Sequence, residues 1–226
     1  EPLYLVNRSG NVTSSTSAAG YLDRAIDVCR TAGFAKILLR GDTDFSQTEH
    51  LDRWDTQGVR FVFGIDAMAN LKARAEALSE GLWKPLRRPA KYEVQTEPRR
   101  RPENVKERIV KERRYKNVRL QSEHVAEFDY RPTKCDKTYR MVVLRKNLSV
   151  ERGEQVLFDD VRYFFYITND RTSSAAEIVG QANQRCNQEK LIDQFKNGVP
   201  ALRMPLDNLL SNWAYMVMAS LAWTLK

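Results

Sequence analysis

Two short apolar runs, Lys36-Ile37-Leu38-Leu39-Arg40 and Val59-Arg60-Phe61-Val62-Phe63-Gly64-Ile65, each follow a segment that reads as helix, and this order restricts the fold more than any other feature. A run that is apolar along its whole length reads as a central strand covered on both faces. The helix before the first run spans residues 18–31, with Leu22, Ala25, Ile26 and Cys29 at three- and four-residue steps. Ser14 to Ser17 offer N-caps for it, and Gly33 ends it. Residues 46–56 read as the second helix and residues 67–79 as a third. Helix-strand-helix-strand implies an α/β core with parallel neighbours. Upstream, Leu3 to Val6 reads as a short strand running into the Asn7-Arg8-Ser9-Gly10-Asn11 turn.

The pattern then changes. Residues 118–130, 138–144 and 156–168 alternate apolar and polar side chains and are rich in Val, Phe and Tyr, so they read as antiparallel strands joined at Pro132-Thr133-Lys134 and Arg152-Gly153. Helix returns with Ser173 or Ser174 as cap, runs through Lys196 and stops at Asn197-Gly198; a last helix begins near Leu206. The expected organisation is a first core segment, 1–83, a basic and β-rich insertion, 84–170, and core helices, 171–226.

Hydrophobic residues make up 42% of the 226, with four Trp among them, which excludes a disordered chain. No apolar stretch reaches the roughly 18 to 20 residues that cross a bilayer, and residues 213–223 read as a buried helix instead, so no membrane partner is expected. The three cysteines, Cys29, Cys135 and Cys186, contain no CxxC pair, which argues against a disulfide framework and a zinc site. His50 and His124 have no partner at metal spacing. The chain begins at Glu1 without a leader and ends in helical sequence, as an excised piece of a longer polypeptide would.

The formal charge is +8, and residues 84–119 alone hold 14 Lys+Arg against 5 Asp+Glu, so the positive charge is concentrated there. Such a segment suits a polyanion, though a solvated charged loop has the same composition. Tyr163, Phe164 and Phe165 could stack on bases or fill the core of the small sheet.

Two places carry possible chemistry. Asp42 falls just past the end of the first apolar run, where open α/β sheets bind ligands, although an acid there also caps a following turn. Arg185, Glu189 and Lys196 are spaced four and seven apart and fall on one stripe of a helix, an arrangement that serves either an ion-paired surface or a metal-binding glutamate between cations.

Three stretches together resemble the DDE transposases of bacterial insertion sequences, in the subgroup whose third acid lies in a Tyr-x2-Arg-x3-Glu-x6-Lys signature. Arg185, Glu189 and Lys196 match its last three positions, with Ala182 where the tyrosine belongs. Arg40-Gly41-Asp42-Thr43-Asp44-Phe45 resembles the Arg-x-Asp-Ser-Gly-Phe strand end that carries the second acid, with Asp44 in place of glycine. Arg8-Ser9-Gly10-Asn11-Val12-Thr13-Ser14 is similar to an Arg-Pro-Gly-Asn-x-x-Ser segment, and Asn212-Trp213-Ala214 to the closing core helix.

The resemblance implies a ribonuclease H-like α/β core with a β-rich insertion between the second and third acids. It also implies metal-dependent cleavage and strand transfer at transposon ends. Asp42 and Glu189 would be the acids that each hold a Mg²⁺, with Mn²⁺ able to replace it, and a first Asp upstream of residue 1 would bridge both metals. Arg185, Lys196, Arg99, Arg100 and Arg101 would contact DNA. The family implies a bacterial, cytoplasmic, nucleoid-associated protein that works as a homodimer on transposon-end and target DNA. A fragment without the first Asp is expected to be inactive, and a transposase-derived module that binds DNA without cutting is the alternative.

Overall fold

A computed structural model of the chain describes residues 2–13, 15–88, 103–184 and 186–225, with residues 186–188 in backbone only. Arg99, Arg100, Arg101 and Arg185 lie outside the described residues. The chain is mixed α/β, built on one six-stranded sheet of order β1-β2-β6-β5-β4-β3. Its strands are β1 (Leu38–Gly41), β2 (Arg60–Ile65), β3 (Lys84–Pro85), β4 (Lys116–Tyr130), β5 (Tyr139–Arg152) and β6 (Gln155–Thr168). The helices are α1 (Ala18–Thr31), α2 (Leu51–Thr56), α3 (Ala69–Glu76), α4 (Val105–Glu112), α5 (Ala175–Asn183), α6 (Cys186–Asp193) and α7 (Leu209–Thr224).

β1 and β2 are parallel, as the two apolar runs require, and β2 pairs on its other side with β6, antiparallel. The strands of the β-rich segment therefore continue the sheet that β1 and β2 begin. Phe61, Phe63 and Ile65 point to one face, into a core that Ile26, Leu51, Trp54, Leu71 and Ala75 of α1 to α3 complete. Val62 points to the other, where Val125, Val142 and Leu144 meet Ile178, Val179 and Ala182 of α5. The result is three layers, with α5 crossing β1, β2, β4, β5 and β6 on the second face.

The turn after β6 locks these layers. Asn169 accepts from the Phe61 amide (3.0 Å) and donates to the Val59 carbonyl (3.0 Å) and to Asp55 (2.9 Å), doing the work of one more ladder residue. Asp170 is buried; it is ion-paired with Arg60 and accepts from Thr172 and Ser173. Ser174 and Glu177 then form a reciprocal capping box that starts α5.

Several expectations need correction. β1 is an edge strand among the described residues, with Leu39 buried and Leu38 exposed, so its apolar run is not covered on both faces. Leu3 to Val6 form no strand; the Leu5 carbonyl instead accepts from Trp213 Nε1 of α7 (2.6 Å), tying the segment to a helix. α7 is not a buried helix: Asn212, Met216 and Ser220 are covered, whereas Leu210 and Met218 are exposed. Ser17 stands at the N-cap of α1 without a side-chain cap bond, and Ser14 is outside the described residues. Cys29 and Cys135 are free thiols; Cys135 is buried, which pushes its thiol up to about 11. No helix among the described residues is long and apolar enough to cross a membrane.

Asp52 fastens α2 to the β4–β5 connection. Burial acts to raise its carboxyl, but the Tyr139 hydroxyl (2.5 Å) and the Asp136 (2.6 Å) and Lys137 (3.4 Å) amides all donate to it and hold it below the ordinary value. A depressed folded-state value stabilises the fold above the unfolded-state pKa and is lost as pH falls through the folded one. Wild type should therefore unfold at higher denaturant than Asp52→Asn at neutral pH, and the gap should close as pH drops below about 4. Denaturation midpoints of the two proteins at pH 7 and pH 3 test this; an equal gap at both removes the carboxylate's role.

Candidate functional site

β1 delivers Asp42 to the carboxyl edge of the sheet, and the backbone there is closely packed. A Cβ on Gly41 would lie 2.8 Å from Phe45 Cβ and 2.9 Å from Phe63 Cδ1, and one on Gly64 would lie 3.2 Å from the Thr43 amide nitrogen. Glycine at both places lets the Asp42-Thr43 backbone fold down over β2. Asp42 then sits at the N-cap of a one-turn helix, Thr43–Phe45, with no side-chain cap bond to that turn. Asp66 follows β2 as Asp42 follows β1, so two parallel neighbours end in carboxylates on one edge. Its signal was present in the sequence, an acid directly after the second apolar run.

Arg40 joins this edge to the helices that follow. Its guanidinium donates to the Gln181 carbonyl (3.1 Å) and to Gln184 Oε1 (3.4 Å), at the C-terminal end of α5. α6 begins at Cys186, just beyond that anchor, and carries the exposed Glu189. Arg40 thus ties the strand that ends in Asp42 to the end of α5, a link that spacing alone did not reveal.

The single helix expected from Ser174 to Lys196 is instead broken. α5 ends at Asn183, α6 spans Cys186–Asp193, and residues Gln194–Gly198 wind as a π-helix. The wider π-turn buries Phe195 edge-on against Trp223, with ring centroids 5.6 Å apart. Lys196 is exposed on that turn, so the seven-residue spacing from Glu189 does not trace one α-helical stripe. Ala182, at the signature tyrosine position, is buried against the sheet.

Among the described residues no group of three or more His, Cys, Asp or Glu side chains could hold a metal ion. Mg²⁺ takes a near-octahedral oxygen shell, which Asp42 and Glu189 alone do not supply. The donors described do not make a metal centre by themselves. The two histidines are elsewhere: His50 packs near Trp54 (5.7 Å between centroids), and His124 lies across from Arg145 and Pro85. Of the aromatics considered for stacking, Phe165 is core, Tyr163 packs against the core, and Phe164 is exposed.

Gly41→Ala should cost about 1–3 kcal/mol, because the added methyl displaces Phe45 or Phe63. Urea denaturation measures it; an unchanged midpoint would mean that the contact relaxes freely and does not fix Asp42.

No curated protein sequence matches the chain. The family model described as transposase DDE domain, group 1, matches residues 1–226 from end to end. The chain belongs to the DDE transposase domain family.

Proposed function

We propose that the chain is the catalytic domain of a DNA transposase, cutting and rejoining phosphodiesters at transposon ends, with Asp42 and Glu189 as two of its acids. The observation that carries this reading is the Arg40 clamp, which holds the end of α5, the helix that precedes the Glu189 helix, against the strand that presents Asp42. The two carboxylates are hard oxygen donors of the kind that suits Mg²⁺ or Mn²⁺. In this reading the bound metal supplies Lewis-acid activation of the attacking oxygen. What the chain's own residues do is narrower. Gly41 and Gly64 set the height of Asp42, Arg40 sets the helix, and the exposed Lys196 offers a cation to the nucleic-acid backbone.

A binding module that grips transposon-end DNA without cutting it is the second reading, and the incomplete donor set among the described residues favours it. The full protein separates the two. With Mg²⁺ or Mn²⁺ and a transposon-end duplex, Asp42→Asn and Glu189→Gln should each cut at least ~100-fold more slowly while binding the duplex as tightly as wild type. Equal cleavage by Glu189→Gln removes the assignment; binding without any cleavage by wild type leaves the module.

A further inference from the structure

The antiparallel strands do not stop where the core stops. Gly41 at the end of β1 is level with Phe63, Ile167 and Met141 through successive cross-strand pairs. β5 lies two antiparallel steps from β2 and therefore runs the same way as β1 and β2. It continues from Met141 to Arg152, which at ~3.4 Å per residue carries its end roughly 37 Å beyond the carboxyl edge of β1. β4 and β6 flank it to the end. The three strands thus form an arm that points the way the Asp42 edge opens.

α4 is fastened to this arm by Arg119, which donates to Glu107 of the helix (2.9 Å) and Glu151 of β5 (3.3 Å). Arg108 is likewise occupied, by Glu103 (3.4 Å) and Glu112 (3.7 Å). The cations farther out differ. Lys111, Arg113 and Arg114 at the end of α4, Lys116 at the start of β4 and Arg152 at the end of β5 are exposed, and none makes an ion pair among the described residues. Lys111, Arg114 and Arg152 line an open cleft of about 730 Å³ at the Gly153 turn, together with Glu112 and Glu154. Arg114 reaches it as the left-handed residue (φ 50°) that closes α4, where the Tyr115 amide donates to the Val110 carbonyl (3.0 Å) and the Arg114 amide to the Lys111 carbonyl (3.1 Å). The α4 dipole favours cations in its last turn, which accounts for Lys111, and Lys116 lies over the Phe158 ring (6.0 Å to the centroid), but neither accounts for Arg152 on β5.

We propose that this arm tip contacts the backbone of duplex DNA about one helical turn from the carboxyl-edge site. A surface lying along one side of a duplex meets that side of the backbone again after a turn of ~34–36 Å, which the reach of β5 matches. Exposed cations of this kind neutralise phosphates and read no sequence. The inference rests on the reading of the chain as a DNA-acting transposase domain and adds a second point of contact to it.

Binding and footprinting of a transposon-end duplex by the full protein carrying Glu189→Gln test the inference, because cleavage is then not needed. Adding Lys111→Ala, Arg114→Ala and Arg152→Ala should flatten the plot of log affinity against log salt by about 2 to 3, at ~0.9 per phosphate. It should also remove hydroxyl-radical protection about one turn from the cleavage position and leave protection there intact. The charge-preserving set Arg114→Lys and Arg152→Lys should keep the parent slope, as a merely structural role would not. An unchanged slope and footprint in the triple variant overturn the arm contact alone. A loss seen only with single strands overturns the duplex assignment, and no duplex binding by the parent overturns the transposase reading and the arm contact with it.

Discussion

β2 is the strand on which everything else hangs. All its residues but Arg60 are buried, and it is hydrogen-bonded on one side to a parallel strand and on the other to an antiparallel one. One face of it closes the core under α1 to α3 and the other closes the core under α5. Because the β-rich strands attach through β2, the position of the long arm relative to Asp42 is set by the register Phe63↔Ile167 and by no loop. A slip of one residue in that ladder would turn Phe61, Phe63 and Ile65 to the wrong face.

The first half of the fold was legible because its signals are local. The Phe61–Ile65 stretch could only be a buried strand, and α1 ended where its apolar period met Gly33. β1 misled for a physical reason: an apolar run records that side chains want cover, not that the neighbouring strand is present to give it. Leu3 to Val6 misled similarly, since the segment satisfies Trp213 and packs against α7 where a sheet partner was expected. β5 was read only to Leu144 because Arg145, Lys146 and Asn147 interrupt the alternation. Arg145 is nonetheless kept in the strand by its paired bonds to Glu80 (2.7 and 2.9 Å) and its stacking over Trp83 (4.3 Å).

Asp42 and Glu189 were picked out as candidates from motif and position, while the tie between Arg40 and the end of α5 was not legible. Arg40 belonged to the strand-end motif, yet its partners are a carbonyl and an amide about 140 positions away, and no spacing rule reaches that far. The π-turn at Gln194–Gly198 was equally hidden, because it arises from the demand of Phe195 for burial against Trp223, a tertiary need. The basic segment was legible in sum only. Which cations are spent on Glu103, Glu107, Glu112 and Glu151 and which remain is a matter of geometry.

The long meander has a kinetic consequence. β4, β5 and β6 are joined by short turns, so their ladders can zip from the Gly153 and Pro132-Thr133 connections with little loop entropy to overcome. The β2–β6 seam, by contrast, joins Ile65 to Phe165 across the whole intervening chain. Contacts of such separation form late and set the folding rate. Until they form, β2 and the core end of β6 present an apolar edge, and the interval in which this chain is prone to aggregate is the interval before that single seam closes.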